Sequence, residues 1–172
     1  MAQAQQSGKI FRIGYLDNST LAGSAVLVKA FLQELNKLGW IEGKNIAIEY
    51  RFAEQKSERL AELAADLVRV KVDLIVVVAT PAALAAKSAT TTIPVVMLNA
   101  GDPVGVGLIA SLARPGGNIT GNSGLSPELN SKRLEILKDA IPKLARVGLM
   151  RPPGGGRPEN FQLKEIRRWP WH

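Results

Sequence analysis

At 172 residues the chain is one domain's length with some to spare, enough to bury a core and too short for two full domains. Hydrophobic residues at 46% and charged ones at 22% exclude a disordered tract, a collagen-like repeat and a coiled coil. The net charge of +7 is lopsided: the segment after Met150 holds five Lys/Arg against two Asp/Glu, and the remainder shows no basic stripe interleaved with aromatics, so nucleic acid is not an expected partner.

Residues 1–9 open with MAQAQQ, in which Ala2-Gln3-Ala4 resembles the small-x-small end of a removed signal peptide; the expectation is a mature exported chain with a short N-terminal tail. The longest apolar run, Leu74 to Ala79, falls far short of the roughly 20 residues that cross a bilayer. With no cysteine, disulfides, thiolate metal sites and cysteine nucleophiles are excluded.

From Ile10 to Met150 short β-branched runs alternate with amphipathic stretches, the pattern of an α/β fold with a parallel sheet. Ile10 to Leu16 reads as a first strand. Leu27, Ala30, Phe31, Leu35 and Leu38 then recur at helical spacing, predicting the sheet-facing side of a helix that Gly39 ends. Asn45 to Arg51 alternates as a half-exposed strand near the sheet's edge. Leu60, Leu63, Ala64, Leu67 and Val68 predict a second helix, with Ser57 as its cap and Glu58 in its first turn.

Asp73 to Ala79 is apolar on both faces and reads as a central buried strand; Pro94 to Leu98 is a shorter one, and the small-residue helix Pro81 to Ser88 lies between them. The RPGG of Arg114 to Gly117 forces a turn before a short strand at Asn118 to Gly121. Asn122 to Ser126 reads as a polar connection, Pro127 to Ala140 as a longer helix with Leu134, Leu137 and Ile141 on one face, and Arg146 to Met150 as the start of another strand. Beyond Met150 the composition turns to RPPGGGRPEN, which holds neither a helix nor an interior strand.

In open α/β sheets, ligands gather where the carboxyl ends of strands lead into helix starts. Thr80-Pro81 after the third strand and Asn99-Ala100-Gly101-Asp102-Pro103 after the fourth both place a capping residue before a proline, predicting two helix N-termini on one rim. Their free N–H groups suit a carboxylate, with the Thr80 hydroxyl as a further donor and Asp102 as an acceptor for an ammonium or hydroxyl; the plainer reading is that both residues only cap their helices. Ser126-Pro127 repeats the pattern and reads as a helix start alone. Asp17, Asn18 and Ser19, in the polar loop after the first strand, either turn the chain or touch a ligand.

Gly105-Val106-Gly107-Leu108-Ile109-Ala110 has the G-x-G-x-x-A form of a dinucleotide fingerprint, but it follows the fourth strand rather than the first, a proline-started turn precedes it and no strand-end acid stands about 20 residues on, so no cofactor is expected. The one histidine is His172, which leaves a His-dependent triad or a His-ligated metal without its ligand, and no catalytic residues are assigned.

The strings ATPAALAAK, GDPVGVGLIASLARPGGNITG and LNSKRLEILKDAIPKLARV, within Ile13 to Met150, closely resemble the tryptophan/tyrosine-type ABC transporter substrate-binding family. That resemblance implies a type I periplasmic-binding-protein lobe with a Rossmann-like parallel sheet flanked by helices. It also implies an extracytoplasmic role without enzymatic activity: binding of a small polar solute such as an amino acid for an ABC permease. Binding is implied at Asp17, Asn18, Ser19, Thr80, Pro81, Asn99, Asp102 and Pro103. Residues 10–122 are then the N-terminal ligand-binding lobe and 123–150 a hinge with the first elements of an incomplete second lobe. Residues 151–172 form an aberrant, loosely ordered tail, which suggests a truncated or frame-shifted gene. The apolar side of Pro127 to Met150 suggests a homodimer. The alternative is the effector-sensing domain of a transcription regulator.

Overall fold

The computed structural model describes residues 10–124, 129–144 and 146–148. Five strands, β1 (Phe11–Asp17), β2 (Ile46–Phe52), β3 (Leu74–Val78), β4 (Val95–Gly101) and β5 (Ile119–Gly124), form one sheet in the order β2-β1-β3-β4-β5. Parallel pairing joins β1 to β2, β1 to β3 and β3 to β4. Because β2 lies to one side of β1 and β3 to the other, the winding direction reverses between β1 and β3.

Right-handed crossovers put helices on opposite faces when the direction of winding changes, and the core follows that rule. The helices α2 (Leu60–Arg69) and α3 (Ala79–Ala89) bury Leu60, Ala64, Leu67, Ala82, Ala83 and Ala86 with Ile75, Val77, Val95 and Met97 of the sheet. On the other face α1 (Leu21–Lys37) packs Val28, Phe31, Leu32 and Leu35 with Ile13, Tyr15 and Val76. The strand β3 thus sends alternate residues into two separate clusters, as its two-sided apolar sequence requires. A Cβ at Gly14 would stand 2.9 Å from Leu67 Cδ1, so the bare backbone there lets α2 lie close over β1.

Several local expectations need correction. Helix α1 begins six residues before Leu27, with Thr20 as its cap: Thr20 Oγ1 accepts from the Gly23 N–H at 2.9 Å. Its sheet side is Ser24, Val28, Phe31, Leu32 and Leu35, spaced three or four apart along one face; Leu27 lies off that face and is 56% exposed, and Leu38, the C-cap, is 75% exposed. Ser57 does not cap α2. It opens a single 3-10 turn, Ser57–Arg59, and its hydroxyl donates to Asn18 Oδ1 at 3.2 Å.

Both β4 and β5 run three residues past their expected ends. No helix follows Asp102: residues 102–107 form bends and turns, since Gly105, Gly107 and the β-branched Val104 and Val106 are poor helix formers. The chain parts into two compact units between Ser123 and Gly124, and the second contains α4 (Leu129–Ala140). Arg146 to Gly148 carries no strand, while Leu149 and Met150, the Ser126-Pro127 start and the segments 1–9 and 151–172 lie outside the described residues.

A chain of ion pairs ties β1 and β2 to α2. Arg12 donates to Glu49 at 2.8 Å and Arg51 Nε to Asp66 at 2.6 Å. The hydrogen bond from Arg12 lowers the Glu49 pKa, and that from Arg51 lowers the Asp66 pKa. A carboxylate whose folded pKa is depressed stabilises the fold above its unfolded pKa, near 4, and loses that contribution as pH falls through the folded value. The urea midpoint is therefore expected to fall between roughly pH 5 and pH 2, and Arg51→Leu to flatten that slope. An Arg51→Leu profile parallel to that of the wild type would refute the assignment.

Candidate functional site

The parallel pairing sets the carboxyl ends of β1, β3 and β4 side by side. Leu16 is in register with Val77, and Val78 with Leu98, so one step further on Asn18, Ala79 and Asn99 share a level. The rim formed there holds three non-glycine residues with left-handed backbone: Ala79 at φ 63°, Asn99 at φ 55° and Asp102 at φ 41°. Alanine has no polar side chain to favour that conformation, so its presence there is a cost the surrounding structure must offset.

Thr80 joins two of the loops. Its hydroxyl accepts from the Gly101 N–H at 3.0 Å and lies 3.3 Å from the Gly101 carbonyl, to which it donates. Thr80 is therefore inside the first turn of α3 rather than its cap, and α3 has no side-chain cap at all. No side chain caps the N–H groups of its first turn, and the positive end of a helix dipole favours an anion there. Pro81, beside it, is exposed.

Asp102 behaves as the plainer reading describes, but for a turn in place of a helix: its Oδ1 accepts from the Gly105 N–H at 2.9 Å. Pro103 is buried, and its carbonyl accepts from Leu108 at 2.8 Å and Ile109 at 3.2 Å. Asn99 is exposed on the rim. Asp17 is only 4% exposed, with both carboxylate oxygens bonded inside the protein. Asn18 and Ser19 are half-buried above it.

Two contributors to the rim are missing from the sequence-based expectation. The start of α1 opens beside the first loop, and the signal for it was Thr20 three residues before the Gly23 amide it caps. The other is the turn after β2, where Glu54 N–H donates to the Ser19 carbonyl at 3.1 Å and Gln55 N–H to that of Asn18 at 2.7 Å. Both of these residues have positive φ, 55° and 61°, and nothing in their side chains announces it.

Behind the rim, on the α1 face, Tyr15 packs with Phe31, Tyr50 and Phe52 at ring-centroid distances of 5.8 to 6.0 Å. Burial pushes the Tyr15 phenol up to about 12, and its buried hydroxyl has no partner among the described residues. Among the described residues no three His, Cys, Asp or Glu side chains gather as a metal site would need, and no helix is long and apolar enough to cross a membrane.

The model of the family described as "ABC transporter substrate binding protein" matches residues 22–163. The chain belongs to that family. A tyrosine-binding protein of Clostridioides difficile (strain R20291) is 38% identical over 123 residues, which are 71% of this chain and 35% of the relative. A conserved domain protein from Vibrio cholerae superposes with a TM-score of 0.78 at 30% identity, over 92% of this chain and 51% of the other. The ABC domain in complex with L-Trp from Streptococcus pneumonia gives a TM-score of 0.67 at 31% identity, over 76% and 43%. This member of the substrate-binding family thus spans about a third of the curated relative and about half of the solved structures it matches. The fold is that of a periplasmic-binding-protein lobe, as the resemblance implied. None of these relatives is described as a regulator, so the effector-sensing alternative gains no support.

Proposed function

We propose that the chain forms one wall of an extracytoplasmic site that binds an amino acid, does no chemistry on it, and serves an ABC permease. The observation that carries this reading is the start of α3: an 11-residue helix without a side-chain cap, opening at the point where the sheet's winding reverses. An amino acid's carboxylate fits the first-turn amides of Ala79 and Thr80, where dipole and free N–H groups act together. Its ammonium fits the acceptors on Asn99 and on the loop at Asn18 and Ser19. The names of two relatives, one tyrosine-binding and one in complex with L-Trp, support an aromatic amino acid.

The test is thermal-shift and calorimetric titration of the full chain with the amino acids and their C-terminal amides. L-tyrosine or L-tryptophan is expected to raise the melting temperature, and the amides, which lack the carboxylate charge, to have no effect. A folded chain that responds to no amino acid would overturn the proposal. Pairing of two copies through residues 123–150 is a separate part of the reading, supported by the exposed Ile136, Leu137 and Ile141 of the second unit; sedimentation equilibrium decides it.

A further inference from the structure

Among the polar residues of the rim, Asp17 stands apart because it is withdrawn from solvent. Its Oδ1 accepts from the Ser19 N–H at 2.9 Å, and its Oδ2 from the Ser24 hydroxyl, on the buried side of α1, at 2.5 Å. Ser24 is itself only 2% exposed. The Asp17 carbonyl accepts from Ala53 N–H at 2.9 Å, the first of three bonds that lash this loop to residues 53–55. Asp17 forms no ion pair among the described residues; its charge is met by an amide, a hydroxyl and the N-terminal end of α1.

We infer that Asp17 is a positioning residue and not a ligand contact. Its carboxylate holds the β1 loop, the start of α1 and the turn after β2 in one arrangement, and so fixes where Asn18 and Ser19 stand. Buried carboxylates persist when each oxygen is hydrogen-bonded, and here both oxygens are occupied without any solute. Any contact with a bound amino acid from this loop falls to Asn18, Ser19 and the backbone above them. This inference rests on the amino-acid reading for its effect on binding, and on the geometry alone for its effect on the loop.

The two roles make opposite demands on Asp17→Asn. An amide in place of the carboxylate keeps an acceptor for Ser19 N–H and offers an N–H to the Ser24 oxygen, so positioning survives while the charge is lost. In the full chain, titrated with L-tyrosine and L-tryptophan, Asp17→Asn is expected to bind within about threefold of wild type. Asp17→Ala is expected to lose on the order of tenfold or more, and Ser24→Ala part of that. Equal losses for Asp17→Asn and Asp17→Ala, with Ser24→Ala unchanged, would make the charge a direct contact and overturn the inference.

Hydrogen exchange gives a readout that needs no ligand. The amides of Ser19, Glu54 and Gln55 are expected to exchange on the order of tenfold faster in Asp17→Ala and to stay near wild type in Asp17→Asn. Unchanged protection in Asp17→Ala and Ser24→Ala would refute the positioning role. If Asp17→Ala does not fold, Ser24→Ala and Asp17→Asn decide both measurements. If wild type binds neither amino acid, the proposed function falls, while exchange still decides what Asp17 does.

Discussion

Thr80→Val is expected to weaken amino-acid binding by on the order of tenfold, about 1.4 kcal/mol, while Thr80→Ser stays within about twofold of wild type. Valine keeps the branched shape and removes the oxygen that both accepts from Gly101 N–H at 3.0 Å and donates to its carbonyl. Both backbone groups of Gly101 then lose a partner at a half-buried position, which costs about 1 kcal/mol of stability. The larger effect is on geometry. With the hydroxyl gone, the end of β4 with Asn99 and the turn with Asp102 are no longer clasped to the first turn of α3, and the amides and acceptors of the rim are expected to be held less firmly for one ligand pose. Isothermal titration separates the two effects from a melting curve; unchanged affinity in Thr80→Val would remove Thr80 from the site.

Gly121→Ala is expected to destabilise the first unit by about 3 kcal/mol, lowering its melting temperature by on the order of 10 °C. A Cβ at this position would lie 2.1 Å from the Met97 carbonyl oxygen and 2.7 Å from the Met97 nitrogen. Those are backbone atoms of the neighbouring strand, so no side-chain rotation relieves the clash. The backbone there is also at φ 138°, where an L side chain is strained even in open space. Met97 belongs to the core under α3, and any separation of β4 from β5 opens that core. Gly117→Ala is the control: nothing lies within 4 Å of its Cβ, and circular dichroism is expected to find it near neutral. A Gly121→Ala protein that melts with wild type would show that β5 does not need its close approach.

How far the sequence foretold these features depended on how local their causes are. The strand β3 and the helix α2 were plain because a two-sided apolar run and a 3.6-residue stripe are properties of the segments themselves. The start of α1 was obscured because Leu21 to Ala25 contains only small or apolar residues with a glycine among them, and because its sheet side begins with a serine, Ser24, bonded to Asp17. The loops proposed for binding were located from the rule that strand ends carry the site, and they do lie on one rim. The role of each side chain there was another matter. Asp102 and Thr80 share a motif of cap and proline, yet one binds its own turn and the other its neighbour's, a difference set by which strand lies alongside. The missing second helix follows from glycines at 105 and 107, a local signal that the capping pattern outweighed.

The reversal of winding has a kinetic side. Connections leave β1 towards β2 and β3 towards β4, on opposite sides of the β1–β3 boundary, while the crossover from β2 to β3 starts at residues 53–55, which are bonded to the loop after β1. For the proposed amino-acid site, residence time is expected to follow how firmly the first-turn amides of α3 hold the carboxylate.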